Sequence, residues 1–226
     1  MAIICRKYNF LFIMTPRTAC TAIGELLCES YGGEFLPADD ILDSRGRIAI
    51  QKKHSTLREL LEKKILSPEE SKSLVKVATV RNPFDTLVSL YCKQRYKYQP
   101  LLSDPTSWVN RSPAYARNMR YAQTHSFDRW VQKKCAKQLL KLALGCPRSM
   151  YSEYTHGVDV VLRYESIASD LSKAFAKAGM ANGAIPLINR TEERIDRDYR
   201  SSYSRWAALM VSVAFADDLK KYQYTF

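Results

Sequence analysis

The sequence predicts an α/β fold in which strands and helices alternate around a largely parallel sheet. Three observations carry that expectation. Short apolar runs rich in β-branched and aromatic residues alternate along the chain with segments of helical periodicity. The 226 residues, 46% of them hydrophobic, suffice for a sizeable core in one domain over residues 1–226. Only 8 Gly and 9 Pro occur, with no internal repeat or low-complexity linker, which excludes collagen-like and disordered classes.

The first predicted strand is the apolar run of residues 9–14, followed by a short loop. Ile23, Leu26 and Leu27 then mark the buried stripe of a helix that ends near Gly32 and Gly33. Residues 47–53 alternate well enough to form a second strand. Thr56 and Glu59 have capping-box spacing over a helix carrying Leu57, Leu60 and Leu61. Ser67 and Pro68 open another helix, since Pro suits the first turn. Residues 74–80 form the third strand, and Pro83 starts a helix running to about residue 96. Residues 99–124, rich in Pro, Ser, Tyr and Arg, are expected to be irregular. A helix over 126–144, a strand over 158–164 and a helix over 166–178 follow. Residues 181–198 are a polar loop, and an amphipathic helix over 202–221 closes the chain.

Charge is the unusual feature of the composition. Against 23 Asp and Glu stand 35 Lys and Arg, a net charge of +12. Such an excess calls for an anionic partner: nucleic acid first, then a membrane surface, an acidic polymer or a phosphorylated small molecule. The six cysteines form no Cys-x-x-Cys pair and only three histidines accompany them, so no metal site is expected. In a chain with a real core, scattered cysteines read as reduced, buried, small side chains. The apolar run at residues 10–14 is too short for a signal-peptide core or a membrane span. No other stretch reaches membrane length, so the expectation is a cytoplasmic protein with no membrane span.

Two segments have the equipment for a phosphate or sulfate group. Thr15-Pro16-Arg17-Thr18-Ala19-Cys20-Thr21 joins a predicted strand to a predicted helix. Such a junction aims backbone N–H groups and the positive end of a helix dipole at one spot. Arg17, Thr18 and Thr21 add a cation and two hydroxyls. The segment matches neither Gly-x-x-x-x-Gly-Lys-Ser/Thr nor Gly-x-Gly-x-x-Gly. An ordinary polar turn with a threonine cap remains the alternative. The second segment, residues 81–89, puts Arg81 just past a strand and Ser89 about two turns into the next helix. The arginine fork suits phosphate, and a serine hydroxyl adds a donor. Both segments lie at carboxyl ends of strands, where open α/β sheets bind ligands. A surface arginine and a serine bonded within its own helix are the alternatives here.

The run Pro16-Arg17-Thr18-Ala19-Cys20-Thr21-Ala22-Ile23 resembles the 5′-phosphosulfate loop of sulfotransferases, closest to carbohydrate (Golgi-type) members and their bacterial relatives. Val80-Arg81-Asn82-Pro83-Phe84-Asp85-Thr86-Leu87-Val88-Ser89-Leu90-Tyr91 is similar to their 3′-phosphate motif. Further resemblance lies in Val161-Leu162-Arg163-Tyr164-Glu165-Ser166-Ile167, in Pro186-Leu187-Ile188-Asn189-Arg190-Thr191 and at the C-terminus.

The resemblance implies a P-loop-like, three-layer fold with helices flanking the central sheet. The implied donor is 3′-phosphoadenosine 5′-phosphosulfate, used without a metal. The acceptor would be a hydroxyl, most naturally on a glycan, and an anionic one in view of the residual charge. It further implies that Pro16, Arg17, Thr18, Ala19, Cys20, Thr21 and Ala22 cradle the phosphosulfate, with Arg17 also acting in catalysis. Arg81 and Ser89 would take the 3′-phosphate, and Asn189, Arg190 and Thr191 would touch the nucleotide. Two residues depart from the pattern. Arg17 stands where Lys is usual, and Cys20 where Gly is usual; a side chain at position 20 would crowd the ligand if the backbone there had positive φ.

The implied base is His54, after the second predicted strand, because a neutral imidazole suits hydroxyl deprotonation and Lys52 and Lys53 disfavour its protonated form. His125, His156 and Glu165 are weaker choices. Acceptor contacts are expected from Tyr98, Trp108, Tyr115, Tyr121, Tyr151 and Tyr154. A nucleotide-binding protein with weak or no turnover is the competing reading. A nucleic-acid binder is disfavoured, since no nucleic-acid motif is present and no nucleic-acid partner is expected.

Overall fold

The computed structural model describes residues 2–181, 183 and 198–226. By internal contacts the chain divides into two compact units: Met1–Arg81 with Glu153–Arg190, and Asn82–Ser152 with Thr191–Phe226.

The first unit is built on a five-stranded sheet. Its strands are β1 (Ala2–Cys5), β2 (Phe10–Ile13), β3 (Glu34–Leu36), β6 (Val75–Val80) and β7 (Val160–Arg163). A separate two-stranded sheet holds β4 (Ile41–Leu42) and β5 (Ile48–Ile50). The order across the main sheet is β3-β1-β2-β6-β7. β6 pairs in parallel with β2 and β7, while β1 is antiparallel to β2 and to β3. Four of the five strands therefore share one direction, and β1 alone opposes them.

Residue alternation assigns the two faces. Ile3, Phe10 and Phe12 point to one core with Ile23 and Leu27 of α1 (Cys20–Tyr31) and Leu171 and Phe175 of α9 (Ile167–Lys177). Ile4, Leu11 and Ile13 point to the other, covered by Leu57 and Leu60 of α2 (Leu57–Glu62) and by Leu66, just ahead of α3 (Pro68–Ser73). Because both faces are covered, β1 and β2 are continuously apolar. Each buried large side chain contributes about 1.5–3 kcal/mol.

The second unit is helical. It holds α4 (Pro83–Cys92), α5 (Gln99–Ser103), α6 (Pro113–Thr124), α7 (Phe127–Ala143), α10 (Arg205–Ala214) and α11 (Ala216–Tyr222). The four-residue α8 (Ser152–Thr155) lies at the junction of the two segments. Phe84, Leu87, Trp130, Val131, Cys135 and Val211 form its main core. Trp130, fully buried, donates its indole N–H to Gln94 Oε1 at 3.1 Å. None of the six cysteines is in a disulfide: Cys5, Cys20, Cys92 and Cys135 are buried, Cys28 is half-buried and Cys146 is exposed. Among the described residues no helix is long and apolar enough to cross a membrane.

Four local expectations need correction. Strand β1 was not foreseen; four apolar residues at the terminus make too short a signal, and the antiparallel pairing with β2 supplies the stabilisation. Residues 48–50 form a strand but pair only with β4, because only Ile50 of the three is buried. Residues 99–124 contain two helices, with Pro100 and Pro113 in their first turns and a small buried stripe of Ala116, Met119 and Ala122 on α6. The closing helix breaks at Phe215 into α10 and α11, after Ser204 caps α10 through the Ala207 N–H.

Candidate active site

The loop between β2 and α1 departs from ordinary backbone at two non-glycine residues, Arg17 (φ 68°) and Ala19 (φ 61°). A left-handed conformation costs a residue with a Cβ about 1–2 kcal/mol. Cys20 is not among the positive-φ residues; it is the first residue of α1, so its Cβ sits in an ordinary helical position. The crowding that a positive φ at position 20 would bring therefore does not arise. The Cys20 thiol is buried, and burial pushes its pKa up, opposed by the charges of Lys53 and Arg17. Ala19, the N-cap residue, offers α1 no side-chain cap, and α1 has no acidic residue in its first turn. Caps from Thr56, Ser67, Asn82 and Ser204 distinguish α2, α3, α4 and α10 from it.

Thr18 is fully buried and its hydroxyl turns inward. It donates to the Thr15 carbonyl at 2.8 Å and also bonds Thr79 Oγ1. With its single proton committed to Thr15, Thr18 accepts from the Thr79 hydroxyl. Thr79, buried on β6, thus ties the loop to the neighbouring strand. Pro16, Arg17, Ala19 and Thr21 are half-buried along the loop, and Ala22 is buried inside α1.

Arg81 follows β6 and is buried. Its Nη1 donates to the Arg17 carbonyl at 3.1 Å, and its guanidinium carbon lies 4.0 Å from the centroid of the Tyr164 ring. The parallel register explains the second contact. Val80 stands opposite Arg163, so the next residue of each strand, Arg81 and Tyr164, emerge side by side. The two sequence-predicted cations Arg17 and Arg81 are thereby brought together through the loop backbone.

His54 is half-buried, and its Nδ1 lies 2.8 Å from the carbonyl oxygen of Met14, the residue just before the loop. A carbonyl can only accept, so Nδ1 carries the proton and the lone pair is at Nε2. Burial lowers the His54 pKa to about 3; the Met14 bond opposes this, and the chain's N-terminal amine, Lys53 and Arg17 reinforce it. The ring is neutral at neutral pH.

Ser89 is buried on α4, in the second unit. Asn189, Arg190 and Thr191 lie outside the described residues. His125 stacks on Tyr121, with ring centroids 3.7 Å apart, and His156 is exposed. Tyr98, Trp108 and Tyr115 form a row of half-buried rings, 5.7 and 4.9 Å between centroids. Tyr151 is a core residue, buried with its hydroxyl bonded to Thr86 Oγ1 at 2.7 Å, and offers no exposed face.

Thr79 and Tyr164 were missed by sequence reasoning. A threonine inside an apolar strand was a faint signal for the first. For the second, the 161–167 segment resembled the family, but only the strand register sets Tyr164 against Arg81.

The model of the sulfotransferase family matches residues 1–223 of the chain. No curated protein and no solved structure gives a match to it.

Proposed function

Starting from a chain that belongs to the sulfotransferase family, we propose that it moves a sulfuryl group from 3′-phosphoadenosine 5′-phosphosulfate to a hydroxyl, favouring a carbohydrate acceptor. The observation that carries the reading is the junction at the carboxyl ends of the parallel strands β2 and β6. There a strained loop opens α1, Arg81 braces that loop, and a neutral histidine is hydrogen-bonded to the residue preceding it. The match to the family runs across both compact units, which supports reading them as one catalytic domain.

In this reading Arg17 and the N–H groups of the 15–21 loop hold the 5′-phosphosulfate, as a helix N-terminus holds anions generally. Thr18 acts through loop shape, because its hydroxyl is spent inside. Arg81 and Ser89 are assigned to the 3′-phosphate, and Asn189, Arg190 and Thr191 to the nucleotide, by resemblance alone. His54 Nε2 takes the acceptor proton. The acceptor oxygen bonds to sulfur as the bond from sulfur to the 5′-phosphate oxygen breaks, releasing 3′-phosphoadenosine 5′-phosphate. Arg17 stabilises the charge that builds on the equatorial and leaving oxygens, which is where electrostatic catalysis is most effective. The row Tyr98, Trp108 and Tyr115 supports a sugar acceptor, since aromatic faces pack against apolar faces of pyranose rings.

The test pairs transfer with binding. Purified wild type, His54→Ala and Arg81→Ala are incubated with radiolabelled donor and a panel of glycans and small alcohols. His54→Ala is expected to lower turnover about 10²–10⁴-fold, the usual range for a lost general base. It should keep its thermal stabilisation by 3′-phosphoadenosine 5′-phosphate, which is about 2.7 kcal/mol at 100 times Kd. Arg81→Ala should lose most of that stabilisation. Transfer unaffected by either substitution would overturn the site, and stabilisation without transfer by the wild type would leave a nucleotide-binding protein.

A further inference from the structure

The charge excess is concentrated. Residues 86–152 carry twelve Lys and Arg against Asp104 and Asp128, a surplus of ten out of the chain's net +12. Three arginines around a nucleotide do not account for it. Within this stretch α7 is the most one-sided element, with Lys133, Lys134, Lys137 and Lys141 and, as its single acid, Asp128 in the first turn. Asp128 is occupied at the helix start, where it accepts from the Ser204 N–H at 3.3 Å. Among the described residues none of the four lysines pairs with a carboxylate. Lys133 instead lies over the Tyr121 ring at 3.7 Å. The Lys134 amine is pushed down to about 8, by burial first and then by Lys137 and Lys133.

The same helix exposes leucines. Leu140 and, at the C-cap, Leu144 are 70% and 82% exposed on one side, while Val131 and Cys135 are buried on the opposite side. Lys133, Lys137, Leu140 and Leu144 follow the 4-3-4 spacing of one helical stripe, with Lys141 on its flank. The outer face of α7 therefore runs from cationic to apolar along its length.

We propose that this face of α7 docks on an anionic lipid bilayer surface, with the leucines entering the headgroup boundary and the lysines meeting the lipid charge. The combination selects the occupant. A hydrated polyanion gains nothing from two exposed leucines on the basic face, whereas an interfacial helix uses an apolar edge and basic flank together. A second copy of the chain is disfavoured by its own charge, because like faces would set lysine against lysine. The docking is independent of the reaction proposed above and needs no spanning segment.

Vesicle co-sedimentation tests it, using phosphatidylcholine alone and phosphatidylcholine with one third phosphatidylserine. Exposed Cys146, two residues past Leu144, provides a labelling site for an environment-sensitive fluorophore in a Cys28→Ser background. The wild type is expected to pellet with the anionic vesicles and not with the neutral ones, and the probe emission should shift to the blue. Lys137→Gln with Lys141→Gln should weaken partitioning about 25-fold, at roughly fivefold per lysine. Leu140→Ser with Leu144→Ser should weaken it about tenfold or more. All four positions are exposed, so thermal midpoints should stay at the wild-type value and exclude misfolding as the cause. No partitioning to anionic vesicles, partitioning unchanged by both pairs, or a concentration-dependent dimer that buries the probe in lipid-free solution would each overturn the proposal.

Discussion

His54 shows what one contact decides. The sequence brings a histidine near two lysines; the bond from Nδ1 to the Met14 carbonyl sets its tautomer, and burial sets its charge. With the pKa lowered to about 3, the kcat/KM profile should lack the acid limb that an ordinary histidine near 6.5 would give. Initial rates across the range between those two values check this, and an ionisation centred at the ordinary position would contradict it. Stability follows the same linkage. On acidification the unfolded chain takes up the His54 proton first, so the contribution of this residue is complete above 6.5 and declines as pH falls toward 3. The other site residues were unevenly legible. Arg17 and Arg81 could be placed from their position after apolar strands. That Thr18 faces inward to Thr79, and that Tyr164 lies under Arg81, required knowing which strands are neighbours.

At the level of elements, local chemistry was a good guide wherever the stabilising partner lies within one turn. The Thr56–Glu59 box is complete: Thr56 Oγ1 accepts from the Glu59 N–H at 3.2 Å, and Glu59 accepts from the Thr56 N–H at 2.7 Å. Thr56→Ala is expected to cost about 1 kcal/mol through loss of that cap, measured as a lower urea midpoint with unchanged slope. A midpoint equal to wild type would show that the box adds nothing beyond the packing of Leu57 and Leu60. Local reading failed on residues 99–124, where α6 buries only small residues and Met119, too weak a stripe to outweigh the turn-forming composition. It also ran α10 into α11, because Phe215 leaves helical backbone (φ −122°) with no Pro or Gly to announce the break.

Across the whole molecule, long-range pairs hold segments that no local pattern connects. Asp218 of α11 is almost fully buried, and its carboxylate accepts from the Met150 N–H at 2.7 Å and from the Ser149 hydroxyl. Burial raises its pKa to about 6, with Asp217 adding to the rise and the two hydrogen bonds opposing it. Asp218→Ala strands two donors and should cost about 3 kcal/mol, read as a drop in thermal midpoint; a change below about 0.5 kcal/mol would mean that water replaces the carboxylate.

The alternating α/β pattern, the helix caps, the strand–loop–helix junction and the charge surplus were all legible in the chain, because each depends on residues a few positions apart. Folding decided the antiparallel placement of β1, the removal of residues 48–50 to a second sheet, and the contacts that brace Arg81, Thr18 and His54. Those are set by which strands pair and in what register, and a side chain carries no local mark of a partner forty or eighty residues away.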